Sequence, residues 1–449
     1  MTVQSQTEIS EKLASLVASN GGKAYYVGGF VRDRLMGKET KDTDIEVHGI
    51  TKTKLESIID SLGKCAETGK YFGVYKLRGY EIDIAIPRKE TVTGKGHRDF
   101  IIDVDPFIGT KKAASRRDFT VNAIMQDILS GEIIDHFGGI KDLNNKTLKH
   151  VSEASFGEDP LRVLRGAQFA SRFGFKISSE TVELCKGIDL GQLSRERVFE
   201  EMKKALLKSE KPSLFFEKLR EMNQLSYWFS KLEKLSEIPQ HSVHHKEGSV
   251  WNHTMMVLDE AAKRRRESEF PLYFMISALV HDMGKAVCTE YIKGDYHAYG
   301  HETEGVSEVK EFLRNITDEK ALIRYAVNMT KLHMKPNTFA NDKSSVKATN
   351  KLFDESVCPD DLILLALCDG YGKIPQKPGK ENEAFLRERL KIYREYISRP
   401  CVTGKDLIDA GITQGENFAS LLEYAHKLRL AGVSKENALA QILAYNKSL

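Results

Sequence analysis

Cysteine is scarce and scattered. The six, Cys65, Cys185, Cys288, Cys358, Cys368 and Cys401, contain no C-x-x-C pair. That excludes a zinc knuckle or a dithiol redox motif, and such thiols read as buried groups in a reducing compartment. Long apolar runs are missing too. LILLALC at Leu362–Cys368 is far short of the roughly 18 residues of a membrane span. The opening MTVQSQTEISEKLASLVASN is polar and amphipathic, without the apolar stretch of a secretory signal. Nor does either charge dominate. Lys+Arg 67 against Asp+Glu 64 leaves +3, so any basic surface for nucleic acid must be local. There is no internal repeat. The expectation is a soluble cytoplasmic protein with no membrane partner.

What is present is ordinary in bulk. With 41% hydrophobic and 29% charged residues, wholesale disorder is excluded. The 449 residues suggest about three domains and a core that needs no staples.

The first third mixes strands and helices. KAYYVGG (Lys23–Gly29) reads as a strand entering a glycine turn, and FVRDRLMG as a short helix closed by Gly37. DTDIEVHGI alternates like a half-buried strand, and TKTKLESIIDSLG has helical spacing. YKLRGYEIDIAIP predicts a hairpin turning at Arg78-Gly79 and stopped by Pro87. Arg88 to Ser115 has little periodicity, and its TGKGHR predicts a loop. From about Asn145 the signal is almost wholly helical: EDPLRVLRGAQFASRFGF, SRERVFEEMKKALLKSE, SLFFEKLREMNQLSYWF and, near the end, ENFASLLEYAHKLRL. GKIPQKPGKENE (Gly372–Glu383) predicts a linker or surface loop. The fold class is therefore α+β.

Two constellations carry chemistry. In the first, Gly28 and Gly29 lie between a strand and a helix, where backbone amides can approach a phosphate, and Arg32 sits one turn on. A plain turn with a surface arginine has the same sequence. Asp42-Thr43-Asp44 adds weight, because residues i and i+2 of a strand point to one side. Two converging carboxylates need a cation between them, and hard oxygen ligands suit Mg²⁺ held with a substrate phosphate. Asp83 is a third carboxylate that is either catalytic or structural.

Farther on, Asp159, Arg162 and Arg165 are spaced i, i+3, i+6 on a predicted helix and share roughly one face. One carboxylate plus one guanidinium complements the amino donor and ring acceptor that cytosine and adenine both present. Guanine and uracil would leave both groups mispaired. Asp159 followed by Pro160 is equally a helix cap.

The second constellation is rich in histidine. Eight of the thirteen histidines lie between His241 and His333. HHKEGSVWNHT, ALVHDMGK, YHAYGHETEG, KLHMKP and ALCDG follow in that order. His281-Asp282 closes one helix, capped at Gly284, with His253 upstream and Asp369 downstream. Any single one of these fits a satisfied core histidine.

The first constellation resembles the class II tRNA nucleotidyltransferases, the CCA-adding enzymes and their bacterial poly(A) polymerase relatives. GGFVRD with DTD is similar to their first motif. SRRDFTVNAIM (Ser115–Met125) is similar to the second, where Arg117 and Asp118 bear on nucleotide sugar and phosphates. DHFGGIKDL (Asp135–Leu143) resembles the third, a hinge; EDPLRVLRGAQF the fourth; and ERVFEE (Glu196–Glu201) the fifth. The resemblance implies a tRNA 3′-hydroxyl attacking the α-phosphate of CTP or ATP. Asp42 and Asp44 would hold Mg²⁺; Gly28, Gly29, Arg32 and Arg117 would grip the triphosphate; Asp159 and Arg162 would read the base. The family often has an arginine where this chain has Gln168, which leaves triphosphate contact from that turn weaker or moved to Arg172.

The second constellation resembles the HD-domain phosphohydrolases. It implies one divalent ion (Mg²⁺, Mn²⁺, Ni²⁺ or Co²⁺) at His253, His281, Asp282 and Asp369, and a second at His301 and His333. Such modules occur on the C-terminal side of some bacterial CCA-adding enzymes, and CVTGKDLIDAGI (Cys401–Ile412) resembles the segment that follows them. The resemblance implies a nucleotidyltransferase head with a small mixed sheet at 1–144 and an all-α neck and body at 145–236. An all-α HD domain at 237–380 and a helical tail at 381–449 complete it. Lys263-Arg264-Arg265-Arg266 is either an RNA contact or a solvated helix end. The rivals are a poly(A) polymerase, a CC- or A-adding enzyme, an HD phosphohydrolase with the head as RNA-binding module, and a non-catalytic RNA-binding protein. By family analogy, TGKGHR favours full CCA addition.

Overall fold

A computed structural model describes residues 3–39, 42–63, 65–66, 73–92, 100–243, 245–376 and 379–446. The TGKGHR loop and His244 lie outside the described residues. Two compact units result: Met1–Ala205 with Leu214–Tyr227, and Leu206–Ser213 with Trp228–Leu449.

The first unit is built on strands β1 (Lys23–Val27), β2 (Thr43–His48), β3 (Cys65–Ala66), β4 (Val74–Leu77), β5 (Ile82–Ala85), β6 (Arg88–Val92), β7 (Phe100–Val104), β8 (Met125–Asp127) and β9 (Ile133–Ile134). Seven form one mixed sheet in the order β3-β4-β5-β2-β1-β8-β9. Only β2 and β5 pair in parallel in it; the other pairings are antiparallel. Alternation puts Ala24, Tyr26, Ile45 and Val47 against helices Val3–Ala18 and Lys52–Leu62. Tyr25 and Val27 face Ala114, Ala123 and Met125 on the other side.

That second cover corrects the half-buried reading of DTDIEVH. The alternation holds, but Glu46 and His48 are 9% and 7% exposed. They stay buried because they pair, His48 Nε2 to Glu46 Oε1 at 2.8 Å. The aperiodic stretch after Pro87 contains the β6–β7 ladder, Arg88 opposite Val104 through Val92 opposite Phe100. Its mixed composition, RKETV against FIIDV, hid it from a search for alternation. The predicted hairpin of β4 and β5 turns at Gly79, φ +86°.

Helices take over after Asn145, interrupted by the short parallel pair β10 (Thr147–Leu148) and β11 (Lys176–Ile177). Helix Leu161–Phe173 ends at Gly174 in the left-handed region. SLFFEKLREMNQLSYWF is not one helix: it stops at Glu221, and Asn223 at φ +54° turns the chain.

The second unit is helical except for the hairpin β12 (Glu290–Ile292) and β13 (Asp295–His297). Helix Val250–Arg264 is capped by Ser249, which accepts the Asn252 N–H. Helices Pro271–Val280 and Pro359–Tyr371 start with proline where its missing N–H costs nothing. Their apolar residues are almost all buried, as a central position requires. Gly372–Gln376 is a loop as expected, but Lys380–Glu383 opens helix Lys380–Ser398; the proline-glycine signal ends before that helix-forming run. Helices Gly404–Asp409, Phe418–Leu430 and Lys435–Asn446 enclose a small core of their own around Leu407, Leu421 and Ile442.

Candidate functional sites

In the first unit, β1 delivers Gly28 at φ +68°. A Cβ there would lie 2.9 Å from an Arg117 guanidinium nitrogen and 3.4 Å from Asp44 Oδ2. The turn needs glycine for both its backbone and its space. Parallel pairing of β2 with β5 sets Asp44 directly beside Asp83. Burial pushes the Asp44 carboxyl up; Arg117 opposes this, while Asp83 and Asp42 add to it. The repulsion that Asp83 and Asp42 exert on Asp44 is what a bound cation would relieve.

Arg117 donates to Glu46 Oε2 at 3.3 Å. Burial works against the Glu46 charge, but His48 and Arg117 outweigh it and hold the carboxyl low. Arg32 is not a surface arginine: it is 3% exposed. It donates to Asp33 and, at 2.6 Å, to Asn122 Oδ1, and it stacks 4.5 Å from the Phe173 ring centre. Asp118 accepts from Arg165, Asn122 and the Phe119 N–H, each at 2.8 Å. These bonds overcome its burial and keep it ionised.

The base-reading candidates are held apart. Asp159 takes both of its Arg197 contacts at 3.1 Å and accepts the Leu161 N–H at 3.1 Å, but the N-cap position is Pro160, so Asp159 precedes the cap instead of being it. Arg162 donates to the Ser155 and Arg116 carbonyls. Arg165 turns to Asp118 and lies over Phe169. Gln168 is 2% exposed, and its Nε2 lacks a hydrogen-bond partner. Arg197, Glu46 and Asn122 were not singled out from sequence. Arg197 lay inside the fifth motif, and Glu46 was visible as the next same-side residue after Asp44.

In the second unit four imidazoles converge. Nδ1 of His253, His281, His301 and His333 faces the carbonyls of Gly372, Ala278, Ala298 and Thr330 at 3.0, 2.9, 2.8 and 2.6 Å. A carbonyl only accepts, so each Nδ1 carries hydrogen and each neutral ring offers a lone pair at Nε2. These lone pairs face each other: 3.4 Å separates His253 from His281, and 3.3 Å His301 from His333. Carboxylate oxygens join them. Asp369 Oδ1 is 3.0 Å from His253 Nε2. Asp282 Oδ2 is 3.3 Å from His253, and its Oδ1 is 3.2 Å from His301.

So many buried acceptors without donors between them fit divalent cations. Among the described residues three sets of candidate ligands result: His253, His281 and Asp369; Asp282, His301 and His333; and His245, Glu247 and His253, which shares His253 with the first. Asp282 reaches both of the first two. Imidazole with carboxylate suits Mn²⁺, Co²⁺, Ni²⁺ or Zn²⁺.

Lysines balance the charge. Lys373 donates to Asp369 at 2.9 Å. Lys285 lies 2.6 Å from Asp282 Oδ2 as an ion pair. Against their burial, these lysines and the histidines hold Asp282 and Asp369 well below the usual carboxylate range. Glu247 stands behind His253, Oε1 3.3 Å from Nδ1, and is tied to His245 at 2.7 Å and the Ile374 N–H at 2.9 Å.

Gly284 departs from expectation. Its φ of −64° is ordinary, so it is not a left-handed helix cap. A Cβ there would lie 2.1 Å from the His301 carbonyl and 2.7 Å from Gly305. Its role is close approach, which brings helix His301–Ile316 onto the His281-Asp282 turn.

Residues 24–149 match the family described as poly A polymerase head domain, and residues 174–235 the probable RNA and SrmB-binding site of polymerase A. The multifunctional CCA protein of Actinobacillus pleuropneumoniae is 37% identical over 424 residues, 91% of this chain and 98% of that one. Its namesake from Nitrosococcus oceani is 32% identical over 413 residues, 89% and 96% of the two chains. The fold is shared with the Thermotoga maritima CCA-adding enzyme complexed with tRNA (TM-score 0.65, 21% identity, 99% and 96% covered). It is shared as well with the Bacillus stearothermophilus CCA-adding enzyme in complex with CTP (0.66, 21%, 100% and 99%).

Proposed function

This chain belongs to the family of the multifunctional CCA proteins, and from that premise we propose that it completes the 3′ CCA end of tRNA from CTP and ATP without a nucleic-acid template. The observation that carries this reading is the Asp44–Asp83 register beside a glycine turn that packs on Arg117. Asp42, Asp44 and Asp83 would hold Mg²⁺, which supplies activation of the attacking hydroxyl and neutralisation of the leaving pyrophosphate. The tRNA 3′-oxygen forms the new bond to the α-phosphorus; the bond from that phosphorus to the bridging oxygen breaks, and pyrophosphate leaves. Gly28 and Gly29 offer amides to the triphosphate. Arg117, aimed by Glu46, would bind it, and the buried Arg32 would add positive charge nearby.

Asp159 and Arg162 would read the base once the Arg162 guanidinium leaves the Ser155 and Arg116 carbonyls that hold it here. Arg197 uses part of the Asp159 lone-pair capacity and fixes its orientation, leaving room for the amino group of cytosine or adenine. Asp118 acts by holding Arg165 rather than by touching nucleotide.

The second unit is read as a phosphohydrolase, in which His253, His281 and Asp369 would hold one ion and Asp282, His301 and His333 another. Such ions supply an activated water for attack on a phosphate ester. The water oxygen would form the new bond to phosphorus, the bond from phosphorus to the ester oxygen would break, and the proton given up by the water would end on that leaving oxygen, with Lys285 and Lys373 balancing the phosphate charge. The head then comprises 1–144, the neck and body 145–236, the HD domain 237–380 and the tail 381–449. No helix among the described residues is long and apolar enough to cross a membrane.

The test uses tRNA ending at the discriminator base, Mg²⁺, and each nucleoside triphosphate singly and in pairs. Two C residues with CTP alone and CCA with CTP plus ATP are expected. Continued A addition would make the protein a poly(A) polymerase instead.

A further inference from the structure

The run Lys263-Arg264-Arg265-Arg266 is not a plain solvated helix end. Lys263 pairs with Glu260 at 2.5 Å, and the Arg264 guanidinium lies 5.6 Å from the Tyr371 ring centre. Arg265 donates Nη1 to the Ser209 carbonyl at 2.6 Å. Beside them opens a cavity of about 590 Å³, with Lys211, Asp259, Lys263, Arg265, Arg266 and Tyr371 in its lining. That lining belongs wholly to the second unit and includes none of the candidate metal ligands.

Its charge is uneven. Of the carboxylates in the lining, Asp259 accepts from the Ser213 amide at 3.0 Å and hydroxyl at 2.8 Å, and Glu260 is taken by Lys263. Glu210 then stands against Lys211, Arg265 and Arg266. Burial and the neighbouring Arg266 charge pull the Arg265 guanidinium down from its usual range, and Glu210 opposes them. The repulsion that Arg266 exerts on Arg265 is what a bound anion would relieve. Phosphate oxygens match the guanidinium fork.

The size calls for more than an inorganic ion. About 590 Å³ lies within the roughly 300–1,000 Å³ of pockets that enclose a whole organic ligand. Tyr371 offers such a ligand an aromatic ring. Glu210 can accept only from a hydroxyl or an amino group, and it repels a second phosphate. One phosphate, one planar ring and a hydrogen-bond donor on a single small group describe a nucleoside monophosphate.

We infer that this cavity is a nucleoside phosphate site that shares no residue with either acidic centre. Arg265 and Arg266 take the phosphate, Tyr371 takes the base, and Glu210 accepts from a sugar hydroxyl or a base amino group. The site rests on neither catalytic reading. The nucleoside phosphate arrives either as a free mononucleotide or as one residue of an RNA strand.

The full chain is photolabelled with 8-azidoadenosine 5′-monophosphate, and the labelled peptides are mapped by mass spectrometry. Label is expected on the segments that carry Met256 and Tyr371. Arg266 is exposed, so Arg266→Ala should fold as the wild type does. It should lower labelling of those two segments roughly tenfold, the worth of one charged hydrogen bond, and leave label elsewhere in the chain unchanged. Arg266→Lys should fall between the two. Adenosine 5′-monophosphate and an oligoadenylate are added as competitors, and the stronger one identifies the source. Three results overturn the site: no label at Met256 or Tyr371, label there that neither competitor displaces, or label that Arg266→Ala leaves at full strength.

Discussion

Asp44 is held in the fold at a cost. Burial and its neighbours Asp83 and Asp42 push its carboxyl up, against the pull of Arg117. Its folded pKa therefore exceeds the roughly 3.9 of an unfolded aspartate. The sign follows from linkage: the group favours folding while protonated, and that contribution is lost as pH rises through the raised value. At neutral pH without metal it destabilises. Asp44→Asn should thus raise the stability of the metal-free protein by about 1 kcal/mol while abolishing nucleotide incorporation. Added Mg²⁺ should stabilise the wild type and not the variant. Thermal melts with and without Mg²⁺ check this, and a less stable variant would contradict it. At this scale the sequence was informative about residue type and poor about partners. The Asp-x-Asp pair and the His-Asp dyad stand out because those spacings demand a cation. Asp118 saturated by Arg165, and Asp159 held by Arg197, depend on contacts between distant segments, which spacing cannot encode.

Among elements, Gly284 sets the geometry of the histidine cluster by letting helix His301–Ile316 approach. Gly284→Ala should cost about 1–3 kcal/mol, the usual penalty of an overpacked contact. It should also move His301 away from Asp282, now 3.2 Å apart. In an Asp44→Asn background, Co²⁺ titration followed by visible absorption should fall from two equivalents to one. Two equivalents retained would mean that the His301 side forms without that contact. The helix read from EDPLRVLRGAQFASRFGF was legible, and the structure has it at Leu161–Phe173. The β6–β7 and β12–β13 hairpins were not. Their strands are three to five residues long with polar, mixed sequences, and pairing rather than burial pattern defines them. The interior placement of β2 was hidden for a related reason, since its polar face is covered by ion pairs.

Over the whole molecule, two compact units carry two separate clusters, carboxylates in the first and imidazoles with carboxylates in the second. The crowding of histidines after Pro239 lies within the second unit, whereas the shift from mixed signal to helices at about Asn145 falls inside the first. The exact seams did not show, because one helix, Arg195–Lys208, runs from the first unit into the second. The central claim is that the carboxylate site of the head builds the CCA end without help from the imidazole site. The most direct test is the rate of CCA addition by the full chain carrying His281→Ala and Asp282→Ala, with folding checked by circular dichroism. The account predicts a rate near that of the wild type alongside complete loss of metal-dependent phosphoester hydrolysis. A folded double variant that no longer completes CCA would contradict it.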